Sequence, residues 1–140
     1  DFNAAFYGVA GGYIYNNTAN ALFYKGNFLG DKNTPLEYAT TNQAKGDPNS
    51  PSTRYLESGD FLRLANMTLG YNFAGDTFGN HIDRMRLYVS GNNLFVITDY
   101  TGFDPEVDTN KQINGVNSAG MDYYSYPAQK GWLFGVTIGF

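Results

Sequence analysis

The sequence contains no cysteine, so neither a disulfide framework nor a cysteine metal site is possible. Its single histidine, His81, falls in a short polar connection and reads as a solvated turn residue. With one His and no Cys, a transition-metal site is poorly supported. Basic residues are few and scattered: nine Lys and Arg stand against thirteen Asp and Glu, for a net charge of -4 and a pI of about 4.7. A chain without a basic cluster is a poor partner for nucleic acid. No apolar run approaches the roughly 18 residues of a membrane helix. Gly11-Gly12 lacks the strand-turn-helix setting of a phosphate loop. No nucleophile–base arrangement is visible, so the chain reads as a non-enzyme without a cofactor. Asp1-Phe2-Asn3-Ala4-Ala5-Phe6 has neither an initiator Met nor the layout of a signal peptide. It starts inside what reads as a strand, and the expectation is a piece of a longer polypeptide.

What the sequence does hold is aromatic and glycine residues. Phe, Trp and Tyr make up 17% of the chain and there are 17 glycines, yet the mean hydropathy is only -0.39. That combination is the profile of a β-barrel membrane protein, whose apolar outer band is diluted by polar lumen and loops. The most regular segment is Gly131 to Phe140. Trp132, Phe134, Val136, Ile138 and Phe140 alternate there with Leu133, Gly135, Thr137 and Gly139. Alternate side chains of a strand point to opposite faces, so one face is bulky and apolar and the other nearly bare. A soluble sheet buries such a face in a core, whereas a transmembrane barrel turns it to lipid, and alternation alone leaves both open.

Four strands are expected, at about 2–14, 60–73, 83–97 and 131–140. In the second, Ala65, Met67, Leu69, Tyr71 and Phe73 oppose Asn66, Thr68, Gly70 and Asn72. In the third, Met85, Leu87 and Val89 oppose Arg84, Arg86, Tyr88, Ser90 and Asn92. The spans exceed the usual 5–6 residues of soluble strands and match the roughly 9–11 needed to cross a membrane at a tilt. All five prolines fall outside them, as the missing ladder donor requires. Phe61-Leu62-Arg63-Leu64 breaks the alternation and puts Arg63 with the apolar set. Either a bulge near Leu64-Ala65 turns Arg63 inward, or Arg63 sits at a membrane rim. The connections are unequal: Ala74 to Ile82 is short, while Tyr15–Gly59 and Thr98–Lys130 are long. Within the first long one, Asn17 to Gly26 fits a short helix capped by Asn17 or Thr18 and ended by Gly26. Gln43 to Thr53 reads as plain loop.

The second half carries a recognisable string. Gly59-Asp60-Phe61-Leu62-Arg63-Leu64-Ala65-Asn66-Met67-Thr68-Leu69-Gly70-Tyr71 resembles the "SFLRLxNxTLGY" segment of SusC/RagA-type TonB-dependent outer-membrane transporters. Leu87 to Phe95 resembles their "vyvsGxNLF" strand, Tyr100 to Val107 their "YxGxDPEv" loop, and Asp122 to Pro127 the element before their final strand. The four motifs occur in order and cover Gly59 to Phe140. The resemblance implies an all-β chain: the last four antiparallel strands of a barrel of about 22 strands, with two long extracellular loops. The plug and the rest of the barrel are absent from this chain. Known transmembrane barrels start at about 8 strands, so four belong to a larger one. It further implies import of oligosaccharides or oligopeptides across the bacterial outer membrane, energised through TonB and paired with a SusD-like surface lipoprotein. The alternative is a self-contained secreted β-domain that binds carbohydrate, which needs further strands within the two long connections.

On this reading Met67, Leu69, Tyr71, Phe73, Met85, Leu87, Val89, Trp132, Phe134, Val136 and Ile138 face lipid. Arg84 and Arg86 face the lumen, either paired with a plug or simply solvated. Phe140 ends the signal read by the barrel-assembly machinery. Tyr24, Tyr38, Tyr55, Tyr100, Phe103, Asp104, Tyr123, Tyr124 and Tyr126 are candidates for contact with substrate or partner, since aromatic faces with polar tips suit sugars and peptides as well as ordinary packing. Asp104, Glu106 and Asp108 place oxygens at alternate positions, as a calcium loop does. They lack the glycine and terminal Glu of an EF-hand, so a turn through Asp104 and Pro105 is the favoured reading and no metal is expected.

Overall fold

The computed structural model describes residues 1–22, 51–74, 82–107 and 119–140, with the backbone of 112–113 and 116–117. Tyr24, Gly26, Tyr38, His81, Asp108 and most of Gln43 to Thr53 lie outside the described residues. In chain order the elements are β1 (Phe2–Val9), β2 (Tyr13–Asn16), α1 (Asn17–Leu22), a 3₁₀ turn (Thr53–Tyr55), β3 (Leu56–Ser58), β4 (Phe61–Phe73), β5 (Arg84–Thr98), β6 (Gln112–Ile113), β7 (Val116–Asn117), β8 (Met121–Asp122) and β9 (Gly131–Gly139). They divide into two compact units. A sheet unit comprises 1–9, 61–97 and 128–140, and a loop unit comprises 10–60 and 98–127.

The sheet unit is one four-stranded sheet in the order β1-β4-β5-β9. β1 pairs antiparallel with β4, and β5 antiparallel with β9. Register follows from the alternation. Met85, Leu87 and Val89 sit opposite Ile138, Val136 and Phe134, so the apolar sets of β5 and β9 share a face. Phe2 and Ala4 sit opposite Leu69 and Met67, extending that face across β1 and β4. It is open: Leu69, Tyr71, Trp132, Val136 and Ile138 are exposed, and Phe134 is 78% exposed.

The opposite face is polar. The Asn66 Nδ2 donates to Ser90 Oγ at 3.3 Å and Asn92 Oδ1 at 2.8 Å, and the Thr68 and Ser90 hydroxyls share a 2.6 Å hydrogen bond. The bare positions of β9 lie here and are covered from β5. A Cβ on Gly135 would overlap the Tyr88 ring, and one on Gly139 would come within 2.7 Å of Arg84 Nε. The small residues of the last strand are therefore the seats of large neighbours.

Two features depart from simple alternation. The pairing shifts between Ala5↔Asn66 and Phe6↔Leu64, leaving Ala65 as an extra residue. This bulge resets the parity of β4. Leu62 and Leu64 join the apolar face, and Arg63, opposite Tyr7, joins the polar one. Of the two readings of Arg63, the inward turn is the observed one. Its guanidinium carbon lies 5.8 Å from the Phe61 ring centre, and the residue is only 3% exposed. The second departure corrects the first expected strand. Phe2 to Ile14 is not continuous but splits into β1 and β2, which belong to different sheets. Gly11 adopts φ 80°, and the Gly11 and Gly12 amides both donate to Asp60 Oδ1, at 2.7 and 3.2 Å. A left-handed residue chelated by a carboxylate ends the ladder there.

The loop unit carries a small mixed sheet in the order β3-β2-β8, antiparallel between β2 and β3 and parallel between β2 and β8. β6 and β7 form a separate antiparallel pair. These strands are two to four residues long, too short to close a domain core of their own. Helix α1 occupies the first part of the expected helix, but its cap is neither Asn17 nor Thr18. The Ala19 amide donates to Asn16 Oδ1 at 2.8 Å, which makes Asn16 the N-cap.

Candidate functional site

The loop unit is built around polar side chains. Among the described residues its buried set includes Asn16, Thr18, Asn20, Asp104 and Asp122 beside Ile14, Tyr55 and Tyr100 of the large apolar kind. Asp122, on β8, is the hub. Its Oδ1 accepts from Thr18 Oγ1 at 3.0 Å and from the Ser125 amide at 3.1 Å, and its Oδ2 accepts from the Tyr100 hydroxyl at 2.6 Å. Thr18 Oγ1 in turn accepts from the Tyr124 amide at 2.9 Å. Tyr124 sits at φ 57°, a conformation that a bulky residue keeps only when its neighbours hold it there.

A second cluster lies around Glu57 on β3. Its Oε1 accepts from Asn16 Nδ2 and from Thr101 Oγ1, each at 2.9 Å, and its Oε2 accepts from the Thr101 amide at 2.8 Å. Asn16 joins this cluster to the cap of α1. Segments up to 106 positions apart in sequence are thus laced together by side chains. Burial, followed by the hydrogen bond to Asp122 and the charges of Asp122 and Glu57, pushes the Tyr100 hydroxyl well above its ordinary range. It remains a donor throughout the physiological range. Burial also raises Tyr55, partly offset by Arg54.

Beside this network opens a cavity of about 180 Å³, lined by residues that include Asn16, Thr18, Leu22, Thr101, Phe103 and Asp122. Phe103 stands at it with 75% of its surface exposed.

The sequence-derived candidates separate in the structure. Tyr55, Tyr100 and Asp104 are buried inside the loop unit. Asp104 Oδ1 accepts from the Glu106 amide at 3.0 Å, the turn anticipated around Pro105. Phe103, Tyr123, Tyr124 and Tyr126 are exposed, and the Tyr123 and Tyr124 rings meet edge-on with centres 5.3 Å apart. In the sheet unit Arg84 and Arg86 lie on the polar face. Arg86 Nη2 pairs with Asp1 Oδ1 at 2.8 Å, and its guanidinium carbon lies 5.2 Å from the Tyr88 ring centre. Asn16, Thr18, Glu57 and the hub role of Asp122 were not singled out from sequence. Asp122 stood in the motif before the last strand, and that motif was the available signal.

No family model matches the chain. TonB-dependent receptor P3 of Formosa agariphila is 38% identical over 94 residues, covering 64% of this chain and 9% of the relative. TonB-dependent receptor P26 of the same organism is 30% identical over 155 aligned positions, covering the whole chain and 15% of the relative. TonB-dependent receptor SusC of Bacteroides thetaiotaomicron is 31% identical over 91 residues, covering 64% of this chain and 8% of the relative. The chain thus spans 8 to 15% of the length of these curated relatives. The solved structure of the RagAB peptide transporter shares the fold at a TM-score of 0.70 and 23% identity, over 99% of this chain and 16% of that one. Sequence kinship along the entire chain and a shared fold agree with the two-faced sheet: the chain belongs to the SusC/RagA-type TonB-dependent receptors, as a fragment of their β-barrel.

Proposed function

We propose that this chain forms the closing strands and two extracellular loops of a bacterial outer-membrane transporter. That transporter imports oligosaccharides or oligopeptides, with energy passed through TonB to a plug outside this chain and a SusD-like lipoprotein as surface partner. The carrying observation is the open apolar face shared by β1, β4, β5 and β9, set against a polar face of Arg, Asn, Ser and Thr. In a barrel wall the apolar face meets acyl chains and the polar face meets the lumen. Met67, Leu69, Tyr71, Phe73, Met85, Leu87, Val89, Trp132, Phe134, Val136 and Ile138 are then the lipid contacts, and Arg84 and Arg86 line the interior. β1 and β9 are the outer strands of this sheet. Each backbone group left unpaired in hydrocarbon costs several kcal/mol, so both must continue into neighbouring strands of the full barrel. Phe140 ends the segment offered to the barrel-assembly machinery. A self-contained soluble domain would have to close the same face into a dry interior, and the exposure of Phe134 speaks against it.

Spin labels test this directly. Single cysteines at Leu69 and Val136, and separately at Thr68 and Thr137, are introduced into a cysteine-free full-length receptor in liposomes. Labels at the first pair should collide with dissolved oxygen far more than with a water-soluble nickel chelate, and labels at the second pair should not. The reverse pattern, or no difference, would overturn the assignment.

A further inference from the structure

We infer that the loop unit binds a protonated amine, seated in its cavity between the Phe103 ring and the Asp122 carboxylate. The inference deepens the transporter reading and rests on it for the arrival of solute at these loops.

Charge without a counter-charge is the starting point. Asp122 is 2% exposed, and its three donors, Thr18, Tyr100 and Ser125, are all neutral. Glu57 likewise accepts from the neutral Asn16 and Thr101. Among the described residues neither carboxylate has a cationic partner. Buried carboxylates are ordinarily paired with a cation, because neutral donors satisfy the lone pairs without cancelling the field. Among the described residues no Lys, Arg or His lines the cavity that Asp122 borders. An anionic solute would therefore be repelled there, and a cation is the complementary occupant.

The remaining walls narrow the cation to an organic one. Phe103 lines the cavity and is largely exposed, and an accessible aromatic ring attracts ammonium and guanidinium groups. Leu22 supplies an apolar side for a hydrocarbon stem. The described residues hold no group of three His, Cys, Asp or Glu able to seat a metal ion. At about 180 Å³ the space lies below the roughly 300–1,000 Å³ of sites that enclose a drug-sized ligand. It suits one amino-sugar ring or one lysine side chain rather than a whole oligomer. The field of the unit acts in the same direction. Segments 10–60 and 98–127 carry ten acidic and five basic residues, whereas the rest of the chain carries three and four. A net acidic unit attracts cations from solution.

The amine could arrive on a peptide or on a glycan, and the test separates the two. Full-length receptor in detergent is titrated calorimetrically with Ala-Lys-Ala and with glucosamine trisaccharide, each beside its N-acetylated counterpart. At least one amine should bind, with acetylation weakening it tenfold or more. The tripeptide binding alone assigns the source to peptide, and the trisaccharide alone to glycan. Phe103→Ala, at an exposed position that leaves the fold intact, should weaken the amine about three- to tenfold. Asp122→Asn should weaken it further, with the circular dichroism spectrum unchanged as the control. Equal binding of amine and acetylated forms, failure of both amines to bind, or indifference to Phe103→Ala overturns the inference. Amine binding without uptake in cells would count against the transporter reading alone, and uptake without amine preference against this one alone.

Discussion

Replacing Asp122 with Ala should loosen the loop unit while leaving the four-stranded sheet intact. The substitution removes three hydrogen bonds to a carboxylate and strands the Thr18 hydroxyl, the Tyr100 hydroxyl and the Ser125 amide. Hydrogen bonds to charged groups contribute about 1.5–3 kcal/mol each, which sets an upper range near 4.5–9 kcal/mol. Water entering from the adjoining cavity can satisfy part of what is left. A net loss of about 3 kcal/mol is the working figure, and since every 1.4 kcal/mol is tenfold, protection against local opening should fall roughly a hundredfold. Hydrogen exchange by mass spectrometry on the full-length receptor reads this in two places. The Tyr15 amide, bonded to the Gly120 carbonyl at 2.8 Å, and the Tyr124 amide, bonded to Thr18, both belong to the network. Peptides covering β2 and β8 should exchange faster, and those covering β5 and β9 should not. Unchanged protection in β2 and β8 would refute the hub role, and equal loss in the sheet would refute the independence of the two units.

Tyr100 has its ionisation raised in the folded state by burial and by Asp122. Its contribution to loop stability is therefore complete below the unfolded value of about 10 and declines at higher pH, by up to about tenfold in protection per pH unit. Tyr100→Phe should flatten that alkaline decline, as measured by exchange between pH 9 and 11. Gly135→Val drives a side chain into Tyr88 and should cost about 1–3 kcal/mol of overpacking, seen as less heat-modifiable barrel on gels; Tyr88→Ala in the same chain should recover part of the yield. Phe140→Ala should lower the amount of receptor assembled in the outer membrane, and unchanged heat-modifiable yield would remove Phe140 from the assembly signal. Ile14→Val, at a buried position of the loop unit, should cost about 0.5–1.5 kcal/mol, well under Asp122→Ala by the same exchange measurement.

The sheet was legible because its physics is periodic. Trp132, Phe134, Val136 and Ile138 alternate with small residues, and any strand that places them on one face must place Gly135 and Gly139 on the other. What periodicity missed were the local events that interrupt it. The bulge at Ala65 was visible only as a conflict around Arg63, since one inserted residue shifts parity without leaving a composition signal. The split at Gly11 depended on Asp60, nearly fifty positions away, which no window along the chain connects to it. The loop network was less legible still. Asn16, Thr18, Glu57 and Asp122 are of ordinary loop composition, and burial gives them meaning only once the chain has brought them together. For the same reason Tyr55 and Tyr100, which pack inside, could not be told from Phe103 and Tyr126, which stand in the open.

That division has a cause in how the chain distributes its apolar residues. Leu69, Tyr71, Trp132, Phe134, Val136 and Ile138 stand exposed on the sheet. Among its described residues the loop unit buries Ile14, Tyr55 and Tyr100 as its large apolar groups, beside a larger set of buried polar side chains. Directional bonds tie segments together there: Asp122 accepts from Thr18, Tyr100 and its near neighbour Ser125, and Glu57 from Asn16 and twice from Thr101. A core of this kind fails through loss of an acceptor rather than loss of a methyl group, because a stranded buried donor costs its full desolvation while a small apolar gap costs only the missing contacts. It also leaves carboxylate charge inside the unit with neutral partners among the described residues, and that residual charge is what lets a scaffold contact serve as half of the proposed binding site.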